Sequence, residues 1–257
     1  MLNMISHGQP TDQPGLLIAH GLYGSARNWG VIAKRLSMDR EVITVDMRNH
    51  GASPWFESHN YHDLAEDLAG VLARLNRPFD LLGHSMGGKA AMVLGLTRPE
   101  LVHRLIVADI APVAYGHSQI QFIEAMRAVD LKLVESRADA DLQLARHVES
   151  QALRNFFLQS LDLKAKAWRL NLDVLAQAMP EILGFPQMDS FFDRPALFLS
   201  GAASDYVPRD ARSEVKRLFP RAGFLKIPGA GHWLHAEKPR EFEAAVSGWL
   251  THHTSSS

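Results

Sequence analysis

Short apolar runs alternate with longer amphipathic segments over most of the chain. Six runs have the length and composition of buried strands, at residues 15–19, 41–46, 79–82, 102–109, 195–201 and 223–228. Apolar residues at helical spacing follow most of these runs, as Leu64, Leu68 and Val71 do after the second run. Strands that alternate with helices in this way predict crossover units and a mostly parallel sheet. The pattern therefore predicts an α/β fold.

The alternation stops between residues 112 and 194. This segment has no convincing strand pattern, and its apolar residues recur at helical spacing, as Phe122 and Met126 do. Its aromatic content is high enough to predict that it packs as a lid against the sheet, although most of these side chains are expected to form its own core. We therefore predict a core domain of residues 1–111 and 195–257 and a helical cap of residues 112–194.

Composition excludes several classes of chemistry. The 257 residues contain no cysteine, which rules out disulfides, thiolate catalysis and cysteine-ligated metals. The net charge of −1 gives no basic surplus, so no nucleic-acid partner is expected. No segment has the pattern of a signal peptide or a membrane helix, which predicts a cytoplasmic protein without membrane insertion. The oligomeric state cannot be read from the sequence.

A Gly-x-Ser-x-Gly motif occupies residues 83–87, directly after the apolar run at 79–82 and before a helical pattern at 88–94. An abrupt turn from a strand into a helix places one hydroxyl on a strained corner, and glycines two positions before and after the serine avoid Cβ clashes there. We interpret the motif as a nucleophile elbow with Ser85 as the nucleophile. The alternative is a glycine-rich turn with an idle serine.

A serine hydroxyl is nearly inert at neutral pH until a base within hydrogen-bond reach removes its proton. His232 is the predicted base, because Gly229 and Gly231 flank it in the loop after the last strand run. This loop lies at the same carboxyl edge of the predicted sheet as Ser85, and open parallel sheets place their ligand sites at that edge.

Other histidines have structural interpretations. His20 is expected to hold the glycine turn that follows it through a backbone hydrogen bond, His235 to be structural, and His84 to point away from the site. The spacing from His232 to His235 is not the i, i+4 spacing of a helical zinc site, and no acidic partner completes one. We therefore predict no metal site.

Two aspartates could orient the base and stabilise its protonated form. Asp109 ends the run at 102–109, and Asp205 follows the run at 195–201. Both satisfy the chain order of serine, acid and histidine, so this order does not choose between them. The backbone N–H groups of Leu22 and Met86 are the predicted oxyanion hole, because one follows the His-Gly turn and the other begins the elbow helix.

Several stretches carry a family resemblance. His-Gly at 20–21, Asp-x-Arg-Asn-His-Gly-x-Ser at 46–53, the extended elbow at 83–89 and Gly-x-Gly-His at 229–232 resemble the α/β-hydrolase superfamily. Together with Asp-Ile-Ala-Pro-Val at 109–113, they are similar to the group of YbfF esterases and abhydrolase domain-containing protein 11. The resemblance covers nearly the whole chain. It implies an eight-stranded sheet, a helical cap after the sixth strand, and hydrolysis of esters or acyl thioesters without a cofactor.

The chain departs from the superfamily pattern at the acid. The family's Gly-x-x-Asp-x-x-Val after the seventh strand places Ser204 at the acid position, so Asp205 is one residue out of step. A shift of one residue re-aims a side chain at a strand end, which favours Asp109, and the esterase group also takes its acid from that earlier strand. Ser204 is then expected to hydrogen-bond the histidine or the acid.

Three functions remain open at this point. The first is a serine hydrolase that cleaves small-molecule acyl esters or thioesters through an acyl-enzyme on Ser85. The second is a lyase or carbon–carbon hydrolase with the same residues, and the third is a ligand receptor without catalysis. Arg48, Asn49 and His50 are expected to pin their loop. Lys89 is expected to be structural, with pairing to an acid or to an anionic leaving group as alternatives.

Overall fold

The structure, a computed structural model, describes residues 1–252. The strands within these residues are β1 (Met4–His7), β2 (Gly15–Ala19), β3 (Val42–Val45), β4 (Phe79–His84), β5 (Leu105–Ala108), β6 (Leu161–Asp162), β7 (Ala167–Trp168), β8 (Ala196–Gly201) and β9 (Ala222–Ile227). Seven of them form the main sheet in the order β1-β3-β2-β4-β5-β8-β9. Only β1 runs antiparallel to its neighbour in this sheet; all other pairs are parallel.

The predicted α/β fold with a mostly parallel sheet is confirmed. The main sheet has seven strands within residues 1–252, where the resemblance implied eight. Within the described residues before β2, the chain forms one strand, the four-residue β1. The insertion predicted after the sixth strand accordingly follows β5, the fifth strand of this structure.

Helices cover both faces of the sheet. The helices are α1 (Gly30–Leu36), α2 (Tyr61–Leu75), α3 (Met86–Thr97), α4 (Ile120–Arg127), α5 (Arg137–Leu144), α6 (Gln151–Leu158), α7 (Leu172–Gln177), α8 (Met179–Leu183), α9 (Ala211–Leu218), α10 (Leu234–Glu237) and α11 (Pro239–His252). Alternate residues of one strand enter different cores: Leu17 belongs to the apolar cluster that includes residues of α2, α3 and α9, whereas Leu16 and Ile18 belong to the cluster that includes residues of α1 and α11. Because both faces are buried, the parallel strands read as continuous apolar runs.

The segment between β5 and β8 is mainly helical and contains α4 to α8. It also holds one antiparallel pair, β6 and β7, which the sequence analysis did not predict. Each of these strands has only two residues, too few to produce an alternating pattern. The segment builds a separate apolar cluster around residues such as Ile123, Leu144 and Phe157. The division into core and cap domains stays a prediction, and its residues 253–257 lie outside the described part of the chain.

Within residues 1–252, no helix combines the length and the apolar character needed to cross a membrane. The cytoplasmic location stays a prediction.

A buried ion pair joins the two central strands to the last helix. Asp80 on β4 is fully buried and accepts two hydrogen bonds from the Arg104 guanidinium, at 2.8 Å to Oδ1 and 2.6 Å to Oδ2. The remaining Arg104 nitrogen donates to the Leu250 carbonyl of α11 at 2.7 Å. His103 Nδ1 lies 2.8 Å from Asp80 Oδ1. This bidentate pair fixes β5 against β4 and α11 against the sheet.

We expect Asp80→Asn to lower the free energy of unfolding by about 3–5 kcal/mol, because it leaves the Arg104 charge buried without its counter-charge. Urea denaturation monitored by circular dichroism measures the change. Glu124→Gln, which removes the carboxylate of the exposed Arg127 pair, is the matched control and should change the free energy by less than about 1 kcal/mol. Equal denaturation midpoints for the wild type and Asp80→Asn would contradict the prediction.

Candidate active site

Ser85 lies on a sharp corner between β4 and α3. Its backbone has φ 52° and ψ −120°, in the positive-φ region that non-glycine residues rarely adopt. A Cβ at Gly83 would lie 2.2 Å from the Gly87 carbonyl oxygen, and a Cβ at Gly87 would lie 2.5 Å from the carbonyl oxygens of Ala19 and His20. The motif glycines are therefore required by close backbone approaches, which hold the serine in its strained conformation.

The structure brings Ser85, His232 and Asp109 into one hydrogen-bonded chain. His232 Nε2 lies 3.1 Å from Ser85 Oγ, and His232 Nδ1 lies 2.8 Å from Asp109 Oδ2. The Asp109 carboxylate accepts from Nδ1–H, which leaves the Nε2 lone pair directed at the serine hydroxyl. This is the tautomer that a general base needs.

The candidate acids have different surroundings. Asp109 is fully buried, and its carboxylate also accepts the Gly201 N–H at 2.9 Å and the hydroxyl of Ser204. Asp205 is exposed to solvent. The structure thus brings Asp109 to His232, and Ser204 makes the hydrogen bond to the acid that the sequence analysis expected. The catalytic role of Asp109 stays a prediction.

The predicted oxyanion groups lie beside the elbow. The Gly21 carbonyl is held by His20 Nδ1–H at 2.7 Å and by Gly24 N–H at 3.0 Å, so the Leu22 N–H on the other side of this trans peptide points away from both. The His20 hydrogen bond is the one that the sequence analysis expected. Met86 N–H is the first of α3. Within the described chain, neither the Leu22 nor the Met86 N–H has a protein acceptor.

The loop after β3 contacts the turn at residues 20–24, which carries the Leu22 N–H and is called the oxyanion turn below. Met47 N–H donates to His20 Nε2 at 2.9 Å, and Tyr23 N–H donates to His50 Nε2 at 3.2 Å. The His50 Nδ1–H donates in turn to the Arg48 carbonyl at 2.8 Å. The Arg48 guanidinium binds Asp67 at 2.5 and 3.0 Å. These contacts match the expectation that residues 48–50 pin their loop.

His84 does not point away from the site, contrary to the sequence-based expectation. Its Nε2–H donates to the His232 carbonyl at 2.9 Å, and its ring lies 4.9 Å from the His232 ring between their centroids. The side chains of β4 alternate between the two faces of the sheet, and the His84 side chain lies on the face that the loop carrying His232 crosses. The resulting contact joins residues that are far apart in the chain. His84 therefore holds the backbone of the predicted base.

Tyr206 is a site residue that the sequence analysis missed. Its ring stacks on the His232 imidazole with centroids 3.7 Å apart and planes 21° apart. Its position two residues after Ser204, in the loop that carries the family's usual acid, is the sequence signal that could have indicated it. Because the stacked ring covers one face of the imidazole, it restricts the orientation of His232.

Two clefts meet at Ser85. The first spans about 480 Å³, including its opening to solvent, and has aromatic walls that include Trp29, Phe156 and Trp233, with His232 among its lining residues. The second spans about 360 Å³, including its opening to solvent. Its lining residues include Met86, Lys89, Ile110, Tyr115, Leu183 and Tyr206. Side chains from the segment between β5 and β8 contribute to both clefts.

No group of three or more His, Cys, Asp or Glu side chains in residues 1–252 is arranged to hold a metal ion. That no cofactor is required stays a prediction.

Comparisons with known proteins agree with this geometry. The profile of the alpha/beta hydrolase family matches residues 16–245. The sn-1-specific diacylglycerol lipase ABHD11 of Mus musculus is 44% identical over 248 residues, which cover 92% of this chain and 81% of that protein. Esterase YbfF of Escherichia coli is 38% identical over 239 residues, 91% of this chain and 92% of that protein. The solved structure of a marine microorganism esterase has a TM-score of 0.91 and 36% identity, and the match covers 96% of this chain and 98% of that one.

Five histidines are buried around the elbow and its supporting loops. They are His20, His50, His59, His84 and His235. Burial lowers the pKa of each below the usual 6.5, to about 3 for His59 and His235. The neutral rings of His20 and His50 accept backbone N–H groups, which protonated rings could not do. The folded site is therefore built on neutral imidazoles.

These lowered pKa values predict that stability falls in mild acid. Below about pH 6.5 the unfolded chain protonates these histidines while the folded chain keeps them neutral, so the stability they contribute is complete above this pH and is lost as the pH falls. Each contributes a slope of up to about 1.4 kcal/mol per pH unit. The His235 ring stacks on Trp29, and His235→Phe retains an aromatic ring at this position. We expect this variant to reduce the pH dependence of the unfolding free energy between about pH 5 and 6.5 by up to about 1.4 kcal/mol per pH unit.

Urea denaturation at several pH values measures this slope. His62→Gln, at an exposed position, is the matched control and should leave the slope as in the wild type. A stability that does not change with pH over this interval would contradict the prediction.

Proposed function

Starting from the chain's membership of the alpha/beta hydrolase family, in which it is a hydrolase of the esterase and lipase type, we propose that it cleaves acyl esters through a covalent acyl-enzyme on Ser85. The observation that carries this proposal is the hydrogen-bonded chain from Ser85 through His232 to Asp109, located where two clefts meet. Small or medium acyl esters and acyl thioesters are the proposed substrates.

The proposed reaction has two halves. His232 Nε2 takes the Ser85 proton as the serine oxygen attacks the acyl carbon, and the protonated imidazole then gives this proton to the leaving oxygen or sulfur. Asp109 keeps the proton on Nδ1 and stabilises the imidazolium. A water molecule, activated by the same histidine, releases the acid from Ser85. The Leu22 and Met86 N–H groups are the proposed donors to the oxyanion in both halves.

The positions of the two clefts suggest how a substrate lies. The leaving group must be next to His232 Nε2 to receive its proton, and His232 lines the aromatic first cleft. We therefore place the alcohol or thiol in the first cleft and the acyl group in the second. Both clefts have walls from the segment between β5 and β8, which supports the division into a core of residues 1–111 and 195–257 and a cap of residues 112–194.

We expect Ser85→Ala to reduce ester turnover by at least about 10⁴-fold, because no other group can form the acyl-enzyme. Turnover is measured on a panel of acyl esters and acyl-coenzyme A thioesters of increasing chain length. Ser213→Ala, at an exposed serine on α9, is the control and should retain wild-type turnover. A fluorophosphonate probe should label the wild type and the control but not Ser85→Ala.

Undiminished turnover in Ser85→Ala would refute the proposal. Labelling of Ser85 without turnover of any ester on the panel would favour a lyase or carbon–carbon hydrolase, and failure of the probe to label the wild type would favour a receptor.

Asp109→Asn should reduce turnover by at least about a thousandfold, because an amide in place of the carboxylate no longer holds the His232 tautomer that accepts the serine proton. Asp205→Asn is the matched comparison and should retain turnover within about threefold, since Asp205 is exposed. Steady-state kinetics on one ester measures both variants. Loss of turnover in Asp205→Asn alone would reverse the assignment of the acid.

A further inference from the structure

Lys89 is a buried lysine with no acidic partner among residues 1–252. Its side chain lies on α3, one helical turn after Ser85, and the residue is 1% exposed. Its Nζ donates hydrogen bonds to the carbonyls of Leu183 at 2.9 Å and Gly184 at 2.5 Å. No carboxylate of the described residues lies within ion-pair distance of Nζ. A buried charge without a counter-charge is costly, so Lys89 calls for an explanation.

Aromatic rings supply part of the missing stabilisation. Lys89 Nζ lies 4.6 Å from the ring centroid of Tyr115 and 5.5 Å from that of Tyr61. Ring faces attract a cation but do not neutralise it. Burial accordingly lowers the pKa of Lys89 to about 7, so the amine is easily deprotonated. An anion beside Nζ would restore the charged form.

A count of donors shows where such an anion would bind. An ammonium group has three N–H donors, and two of them are used by the Leu183 and Gly184 carbonyls. Lys89 lines the second cleft together with Ser85 and Met86. The third N–H is therefore available at the wall of the cleft in which the acyl group is proposed to lie.

Several other polar groups of this cleft already donate to protein acceptors, which favours a carboxylate over a phosphate. The Tyr61 hydroxyl already donates to the Ile182 carbonyl at 2.6 Å, and the Tyr115 hydroxyl already donates to the Tyr206 carbonyl at 2.7 Å. A phosphate would require several donors at once, whereas a carboxylate can be held by one charge-assisted N–H.

We propose that Lys89 selects acyl groups that carry a carboxylate at their far end, so that half-esters and half-thioesters of short dicarboxylic acids are preferred substrates. This inference rests on the proposed function and on the placement of the acyl group in the second cleft. Lys89 contributes to substrate choice by pairing with the distal carboxylate, while Ser85 and His232 carry out the same reaction on every ester.

The test compares half-esters with neutral esters of matched length. Monoethyl succinate and monoethyl glutarate are compared with ethyl butanoate and ethyl pentanoate, and kcat/KM is measured from the ethanol released. We expect the wild type to prefer the better half-ester by at least about tenfold, the effect of one charge-assisted hydrogen bond. Lys89→Met should lower kcat/KM for that half-ester at least about tenfold more than for its neutral counterpart.

Further variants separate the effect of the Lys89 charge from the structural role of its hydrogen bonds. Lys89→Gln keeps an N–H donor for the Leu183 and Gly184 carbonyls but has no charge, and it should lose the preference as Lys89→Met does. Lys132→Met, at an exposed position, is the control and should behave as the wild type on both ester classes. The wild-type comparison needs no variant and by itself decides whether the preference exists.

The preference should also depend on pH. The ratio of kcat/KM for half-ester and neutral ester should be largest below about pH 7 and fall above it as Lys89 loses its proton. The other titratable groups that line this cleft are Tyr61 from α2, Tyr115 and His117 from the loop before α4, and Tyr206 from the loop after β8. Burial raises the pKa of the three tyrosines, so their hydroxyls keep their protons over this interval. Taking the ratio removes effects of pH that are common to both ester classes.

Two results would overturn the inference. One is a wild type that hydrolyses the neutral esters at least as well as the half-esters. The other is a decrease in kcat/KM that is equal for both ester classes in Lys89→Met and Lys89→Gln. That result would show that Lys89 serves only to hold α3 against residues 183–184. Either result leaves the proposed function intact as long as Ser85→Ala is inactive on the neutral esters. Activity of Ser85→Ala on those esters would refute the proposed function itself.

Discussion

The site depends on the pairing of parallel strands up to their carboxyl ends. The Ser85 N–H donates to the Ala108 carbonyl of β5 at 3.0 Å, and the Asp109 N–H donates to the Leu199 carbonyl of β8 at 2.8 Å. These ladder bonds fix the first residue after β4 and the first residue after β5 at neighbouring places on one edge. Since parallel strands all end at this edge, the loop after β9 brings His232 to the same place.

Backbone strain at two of these positions aims the side chains. Ser85 has φ 52° and Asp109 has φ 51°, a conformation that costs on the order of 1–3 kcal/mol for a non-glycine residue. The cost at Ser85 is sustained by the close backbone contacts of Gly83 and Gly87. Asp109 is held by the Gly201 N–H and by Ser204, which bind its carboxylate from the neighbouring loop. Both strained turns are thus stabilised by contacts that form only in the folded chain.

Burial controls protonation throughout this region. The imidazoles of His20 and His50 remain neutral because they are buried, and their neutral Nε2 atoms accept the N–H groups that position the oxyanion turn. The same physical effect lowers the pKa of the Lys89 amine, one helical turn after Ser85. Desolvation therefore makes the histidines reliable acceptors and leaves Lys89 in need of a counter-charge.

The sequence by itself determined the features that follow from local patterns. Apolar runs identified every strand of the main sheet except β1, and glycine spacing indicated the corners at Ser85 and His232. Contacts between distant residues were decided only by the tertiary structure. The sequence favoured Asp109 over Asp205 as the acid, and the tertiary structure adds that the Asp109 carboxylate contacts the imidazole of His232, which is more than 100 positions later in the chain.

The tertiary structure also decided features with no local signal. The two-residue strands β6 and β7 are too short to produce a period, and β1 is a four-residue edge strand. The directions of His84 and Tyr206 depend on where the His232 loop crosses the sheet edge. The sequence shows which residues can do chemistry because residue type and spacing are local properties. Only the fold shows which of them meet, because their distances are set by packing between segments far apart in the chain.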